Sequence, residues 1–158
     1  MKKDFLFAEH LFQDVLGKKP TRVKAGYGSF ITIDFGKDIP KELKTRKGII
    51  TQYFGEWHLW IYMCAWRIDI EKKPFLGSND SKEVIKNHLN EIEKRVLKKV
   101  DILNAAFDAK LTFGDDLELF LFSFNTKEHE QWMFFMPGNK VFTAGPGNEG
   151  SYHDSNKT

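Results

Sequence analysis

The stretch GEWHLWIYMCAWRIDI, Gly55 to Ile70, holds three of the chain's four tryptophans, together with its only cysteine. Read with the two-residue period of a strand, Trp57, Leu59, Ile61, Met63 and Ala65 share one face. Glu56, His58, Trp60, Tyr62, Cys64 and Trp66 share the other. Both faces are largely apolar, the pattern of a central strand covered on both sides. Strand geometry also limits the chemistry here. His58 and Cys64 fall on one side but ~20 Å apart at the ~3.3 Å rise of a strand, too far for a metal or a nucleophile pair to bridge.

The flanking segments supply what such a strand needs. Ser29 to Phe35 (SFITIDF) alternates as a strand, and Lys37–Gly48, with Pro40 and five basic residues, reads as an exposed loop. Its lysines suit the blunting of a sheet edge. The extended run from Ile49 to Ile70 is expected to break near Gly55. Residues 4–16 form an amphipathic helix with Phe5, Ala8, Phe12 and Val15 on one stripe, Asp4 as cap and Gly17 as stop. A second helix over 81–95 begins at Asp80 or Ser81, Asp80 and Glu83 making a capping box, with the stripe Ile85, Leu89, Ile92 and Val96. Lys72–Asn79 reads as a loop. Short strands follow at about 100–106, 109–113, 117–124, 131–136 and 140–144, with turns at Gly114-Asp115-Asp116 and Pro137-Gly138-Asn139.

The fold expected is therefore a single α+β domain over residues 1–150: a mostly antiparallel, twisted sheet of about six or seven strands with two packed helices. Residues 151–158 are expected as a flexible tail. The aromatic share of 15%, with 15 Phe, builds that core from rings. A single cysteine excludes an internal disulfide. No apolar run approaches the ~20 residues that cross a bilayer, and Asp4, Glu9 and His10 interrupt the N-terminal apolar run, so the chain reads as cytoplasmic.

Charge is uneven along the chain: net +5 over residues 1–50, +2 over 51–100 and −5 over 101–158. Either the two halves attract each other within one domain, or the acidic half faces a basic partner. The second option makes Asp115, Asp116, Glu118, Glu128 and Glu130 candidate partner-binding residues. Trp57 is an aromatic anchor candidate, and Arg67 is the odd charge on an apolar face, able to pair with Asp69 or stack on a ring. Glu128-His129-Glu130 lacks HExxH spacing and a nucleophile, and Gly145-Pro146-Gly147 lacks phosphate-loop spacing. No glycine-aromatic RNA-binding motif accompanies the lysines. The residues point to no catalytic group, cofactor, metal, nucleic acid or membrane. The alternative to a protein partner is a small-molecule binder or enzyme with a Trp-lined pocket using His58, Tyr62 and Arg67.

Four segments taken together, GSFITIDFG, GEWHLWIYMCAWRI, LTFGDDLELFLFSF and HEQWMFFMPGNKVFTAGPG, resemble small uncharacterised bacterial proteins. Some of these lie beside polymorphic toxins and are proposed immunity proteins. The resemblance spans most of residues 26–150 and implies an inhibitory protein–protein role. It carries no site residue with it.

Overall fold

Alternating apolar side chains from two sheets meet in one continuous buried cluster in the computed structural model, which describes residues 5–155. In chain order the elements are α1 (Phe5–His10), a 3-10 turn (Gln13–Val15), β1 (Arg22–Ala25), β2 (Ile31–Thr45), β3 (Gly48–Ile61), β4 (Ala65–Ile70) and β5 (Lys73–Gly77). Then come α2 (Lys82–His88), a 3-10 turn (Leu89–Lys94), β6 (Leu97–Ile102), β7 (Ala109–Phe113), β8 (Leu117–Phe122), β9 (Trp132–Met136), β10 (Lys140–Ala144) and β11 (Gly150–Asp154).

The α+β class is as expected, but the single sheet is not. Six strands pair in the order β1-β2-β3-β9-β10-β11 and five in the order β5-β4-β8-β7-β6, all antiparallel. The cause lies inside the tryptophan stretch. Its alternation holds up to Ile61, with Leu59 and Ile61 buried, and the chain then leaves the first sheet at Tyr62–Cys64 rather than breaking at Gly55. That crossing resets the phase, so Cys64 and Trp66 turn into the core beside Ile68. The remaining half of the expected two-sided strand, Glu56, His58, Trp60 and Tyr62, is only half-buried.

Two indoles tie the sheets together. Trp66 on β4 donates its Nε1–H to Ser29 O at 2.7 Å, just before β2. Trp132 on β9 donates to Phe107 O at 3.0 Å, just before β7. Each tryptophan thus supplies buried area to one sheet and a hydrogen bond to the other. Phe12, carried past the end of α1, stacks on Phe134 with centroids 4.2 Å apart and planes 11° apart.

Both helices are shorter than the periodicity predicts, because each tightens into a 3-10 turn where its buried stripe meets a sheet. Ala8, Phe12, Val15, Ile85, Leu89 and Ile92 are nevertheless buried as expected. Ser81 is the cap of α2, its hydroxyl accepting from Val84 N at 3.3 Å, while Asp80 Oδ2 accepts from Gly77 N. Asp4 and the side chain of Phe5 lie outside what is described.

Three segments expected as loops are strands. Lys73–Gly77 is the edge strand β5, and Gly150–Asp154, expected to belong mostly to a loose tail, pairs with β10 over five residue pairs as β11. The largest correction is Lys37–Gly48. It forms, with the start of β3, a long arm whose register runs from Asp38↔Gly55 to Thr45↔Gly48. Charged side chains are compatible with a ribbon both of whose faces meet water, which is why their density misled the loop reading. A bulge between Phe35 and Asp38 separates the arm from the sheet. Gly36 sits there at φ +80, where a Cβ would press against Trp57 and Glu56, and a Cβ on Gly55 would lie 2.7 Å from Phe35 O.

Candidate functional site

On the outer face of the six-stranded sheet one row of side chains crosses every strand: Arg22, Asp34, His58, Phe135, Val141 and His153, each opposite the next in the strand register. The first three form a hydrogen-bonded chain. Arg22 Nε donates to Asp34 Oδ2 at 3.1 Å, and Asp34 Oδ1 faces His58 Nδ1 in a short contact. Arg22 also reaches Asp38 Oδ1 and Tyr53 O. Asp34 is buried although it points away from the main core. Burial pushes its carboxyl upward, but the His58 hydrogen bond and the Arg22 guanidinium outweigh that and hold it below the usual carboxylate value.

An ionised Asp34 requires a proton on His58 Nδ1. With Nδ1 so engaged, Nε2 is the ring nitrogen left for a ligand, an acceptor in a neutral imidazole and a donor in an imidazolium. Nε2 has no hydrogen-bond partner among the described residues and is not sealed from solvent. The ring is held by aromatic neighbours: Phe54 meets it edge-on at 5.1 Å and 90°, and Phe135 lies 5.8 Å away.

His58 forms part of the wall of an open groove of about 620 Å3. The arm borders it through Ile39, Pro40 and Phe54, and the β9–β10 turn through Met136 and Pro137; Trp60, Glu56, Lys41 and Asn139 add a further ring and polar groups. Glu56 Oε1 is already engaged by Lys37 N at 2.8 Å. The bulge with Gly36 at positive φ marks the junction of sheet and arm, next to the groove residues Gly55 and Glu56. Among the described residues no three His, Cys, Asp or Glu side chains converge as a metal site, and no helix is long and apolar enough to cross a membrane.

The residues singled out by sequence lie elsewhere. Arg67, Asp69 and Glu118 come together on the outer face of the five-stranded sheet, Asp69 opposite Glu118 and Arg67 opposite Phe120. Arg67 binds Asp69 with both its Nε and Nη2, at 2.7 and 3.2 Å, and lies 5.1 Å from the Phe120 ring. Glu118 pairs with Lys72 and Lys110, Asp116 takes two hydrogen bonds from Arg95 at 2.7 and 2.9 Å, and Asp115 pairs with Lys98. Glu128 and Glu130 lie in the connection from β8 to β9 and make no ion pair among the described residues. Trp57 is on the other sheet, half-buried under Lys18, whose Nζ is 4.4 Å from the ring centroid. Tyr62 is beside Trp60 at 4.8 Å but does not line the groove.

Of the alternative pocket set, His58 is therefore at the groove, Tyr62 at its margin and Arg67 on a different sheet. Arg22, Asp34, Phe54 and Phe135 were missed. Asp34 carried a signal, being the single acid inside the apolar strand SFITIDF, but its meeting with His58 depends on the β2–β3 register. Compared with protein-family models, curated proteins and solved structures, the chain matches none of them.

Proposed function

We propose that this chain is a non-enzymatic binding protein whose ligand is a small molecule with a planar ring and a hydrogen-bond donor, seated in the groove over His58. The observation that carries this reading is the Asp34–His58 pair in the wall of an aromatic-lined groove: the buried carboxylate engages Nδ1 and leaves Nε2, an acceptor whenever the ring is neutral, to meet a ligand. Rings at Phe54, Trp60 and Phe135 offer stacking and edge contacts to a flat ligand, and the volume lies within the usual range for small-molecule sites. Ligand-observed NMR with indole and 1-methylindole tests it. Indole binds the wild type, while 1-methylindole, or the His58→Phe protein with indole, binds distinctly more weakly. Equal binding in all three cases, or no binding to the wild type, overturns the reading.

A protein partner, with the toxin-neutralising role that the resemblance implies, is the second reading. It is favoured by Phe122 and Phe124, 61% and 60% exposed at and just past the end of β8, with Phe122 two residues along the strand from Phe120, the residue opposite Arg67. Replacing both phenylalanines by serine abolishes calorimetric binding to the product of the adjoining gene if that reading holds. Unchanged affinity overturns it.

A further inference from the structure

The two edges of the arm are unlike. The β2 edge carries Lys37, Lys41, Lys44 and Pro40, residue types that oppose strand addition. The β3 edge reads GIITQYFG from Gly48 to Gly55, without a charge or a proline and rich in β-branched and aromatic residues. β9 reaches β3 only between His58 and Ile61. Among the described residues no strand covers the rest of that edge. Ile49 and Tyr53 are 65% and 53% exposed there.

The hydrogen-bonding direction of the edge is also set. The two-residue turn Arg46-Lys47 makes Thr45–Gly48 the hydrogen-bonded closing pair of the arm, and Pro40, opposite Tyr53, has no N–H to give. Alternation from the closing pair turns the backbone of Ile50, Gln52 and Phe54 toward β2 and puts Pro40–Tyr53 at a non-hydrogen-bonded position. The N–H and C=O groups of Ile49, Thr51 and Tyr53 therefore face away from β2, Tyr53 O accepting from Arg22 Nη2 at 3.0 Å.

We propose that this edge is a homodimer interface, in which β3 of a second copy adds antiparallel about a two-fold axis at Thr51. The segment is self-complementary in that arrangement. Ile50 lies opposite Gln52 of the other copy and Ile49 opposite its Tyr53, with no like charges in register. The arm tip, Arg46-Lys47, arrives beside Glu56 at the base of the other copy's edge, and this happens twice by symmetry. A foreign charged strand would find no complementary charge on the edge itself. Pairing also converts two marginal two-stranded ribbons into one four-stranded ribbon, and it adds the partner's basic tip as a wall of the groove beside Glu56. The inference is independent of what fills the groove.

Sedimentation velocity on the full chain over a concentration series tests it. The wild type sediments as a dimer that dissociates on dilution. Thr51→Pro deletes an outward N–H without removing a bond to β2, and Ile50→Lys puts a charge on the edge. Each raises the dissociation constant by about tenfold or more, with a cooperative unfolding transition retained. Glu56→Lys weakens the dimer, and adding Arg46→Glu to it restores association. A wild type that is monomeric at every concentration overturns the proposal and leaves the edge open to a strand from a different protein. A dimer that survives both edge substitutions overturns it equally.

Discussion

Asp34 and His58 stand directly opposite each other on β2 and β3, and their contact engages Nδ1, leaving Nε2 as the ring nitrogen without a partner among the described residues. The same carboxylate is the anchor of Arg22, which in turn holds the arm through Asp38 and Tyr53 O. One buried charge thus links the His58 ring to the placement of the arm. Replacing it by asparagine keeps the size and removes the charge. Asp34→Asn is expected to lower stability by about 2 kcal/mol, the scale of a charged hydrogen bond lost from a buried site. The urea midpoint falls while the denaturant slope stays unchanged.

The pH dependence of stability follows from the depressed Asp34 value. A carboxyl whose folded value lies below its unfolded value binds fewer protons when folded. Its contribution is complete above the unfolded carboxylate range and is lost as pH falls through the folded value. Unfolding free energy measured from neutral pH downward should therefore decline more steeply for the wild type than for Asp34→Asn. Parallel curves would contradict the assignment.

How much of this was legible in the chain depends on whether one strand or two had to be known. Alternation within Leu117–Phe122 puts Leu117, Leu119 and Leu121 on one side of the strand, and all three are buried. The stripe residues Ala8, Phe12, Val15, Ile85, Leu89 and Ile92 were likewise readable from spacing alone, whereas Val96, expected on the second stripe, falls past the 3-10 turn and is only half-buried. The arm was not, because lysines on a ribbon wet on both faces look like lysines in a loop. The phase reset at Tyr62–Cys64 was also hidden, since an apolar run has the same pattern whether it stays in one sheet or crosses to another. The groove combines both difficulties: it needs the β2–β3 register to bring Asp34 to His58 and the arm to border it.

Cys64 tests that phase reset. It lies in the core, and burial first, then the nearby Asp108 charge, pushes its thiol up to about 12. A thiol so placed is protonated at neutral pH and shielded from reagents. Labelling by iodoacetamide should be negligible in the folded protein and should follow the unfolding transition in urea. Fast labelling under native conditions would mean that Cys64 shares the outer face with His58 after all.

Phe134 is fully buried, stacks on Phe12 and pairs with Leu59 and Phe142 across β3 and β10. Phe134→Ala removes a ring at the point where the N-terminal segment meets the six-stranded sheet. A loss of about 3–5 kcal/mol is expected from transfer and cavity terms together. Ile50→Ala on the exposed arm should cost less than about 0.5 kcal/mol under conditions where the chain is monomeric. Thermal unfolding at low protein concentration separates the two.

The acidic residues of the second half divide by their partners. Asp116 is clasped by Arg95, which also binds Glu91, and these contacts hold the Asp116 carboxyl below its usual value, the Arg95 hydrogen bond being the main cause. Glu128 makes no ion pair among the described residues. Asp116→Lys should therefore destabilise the fold by about 1 kcal/mol, the upper end for a partly exposed pair, because it replaces an attraction by a repulsion. Glu128→Lys should leave stability unchanged. The contrast bears on the charge asymmetry of the chain, since Lys72, Arg95 and Lys98 neutralise Glu118, Asp116 and Asp115 within the molecule. If both reversals prove silent, Arg95–Asp116 contributes nothing to the fold, and the acidic turn is free for a basic partner.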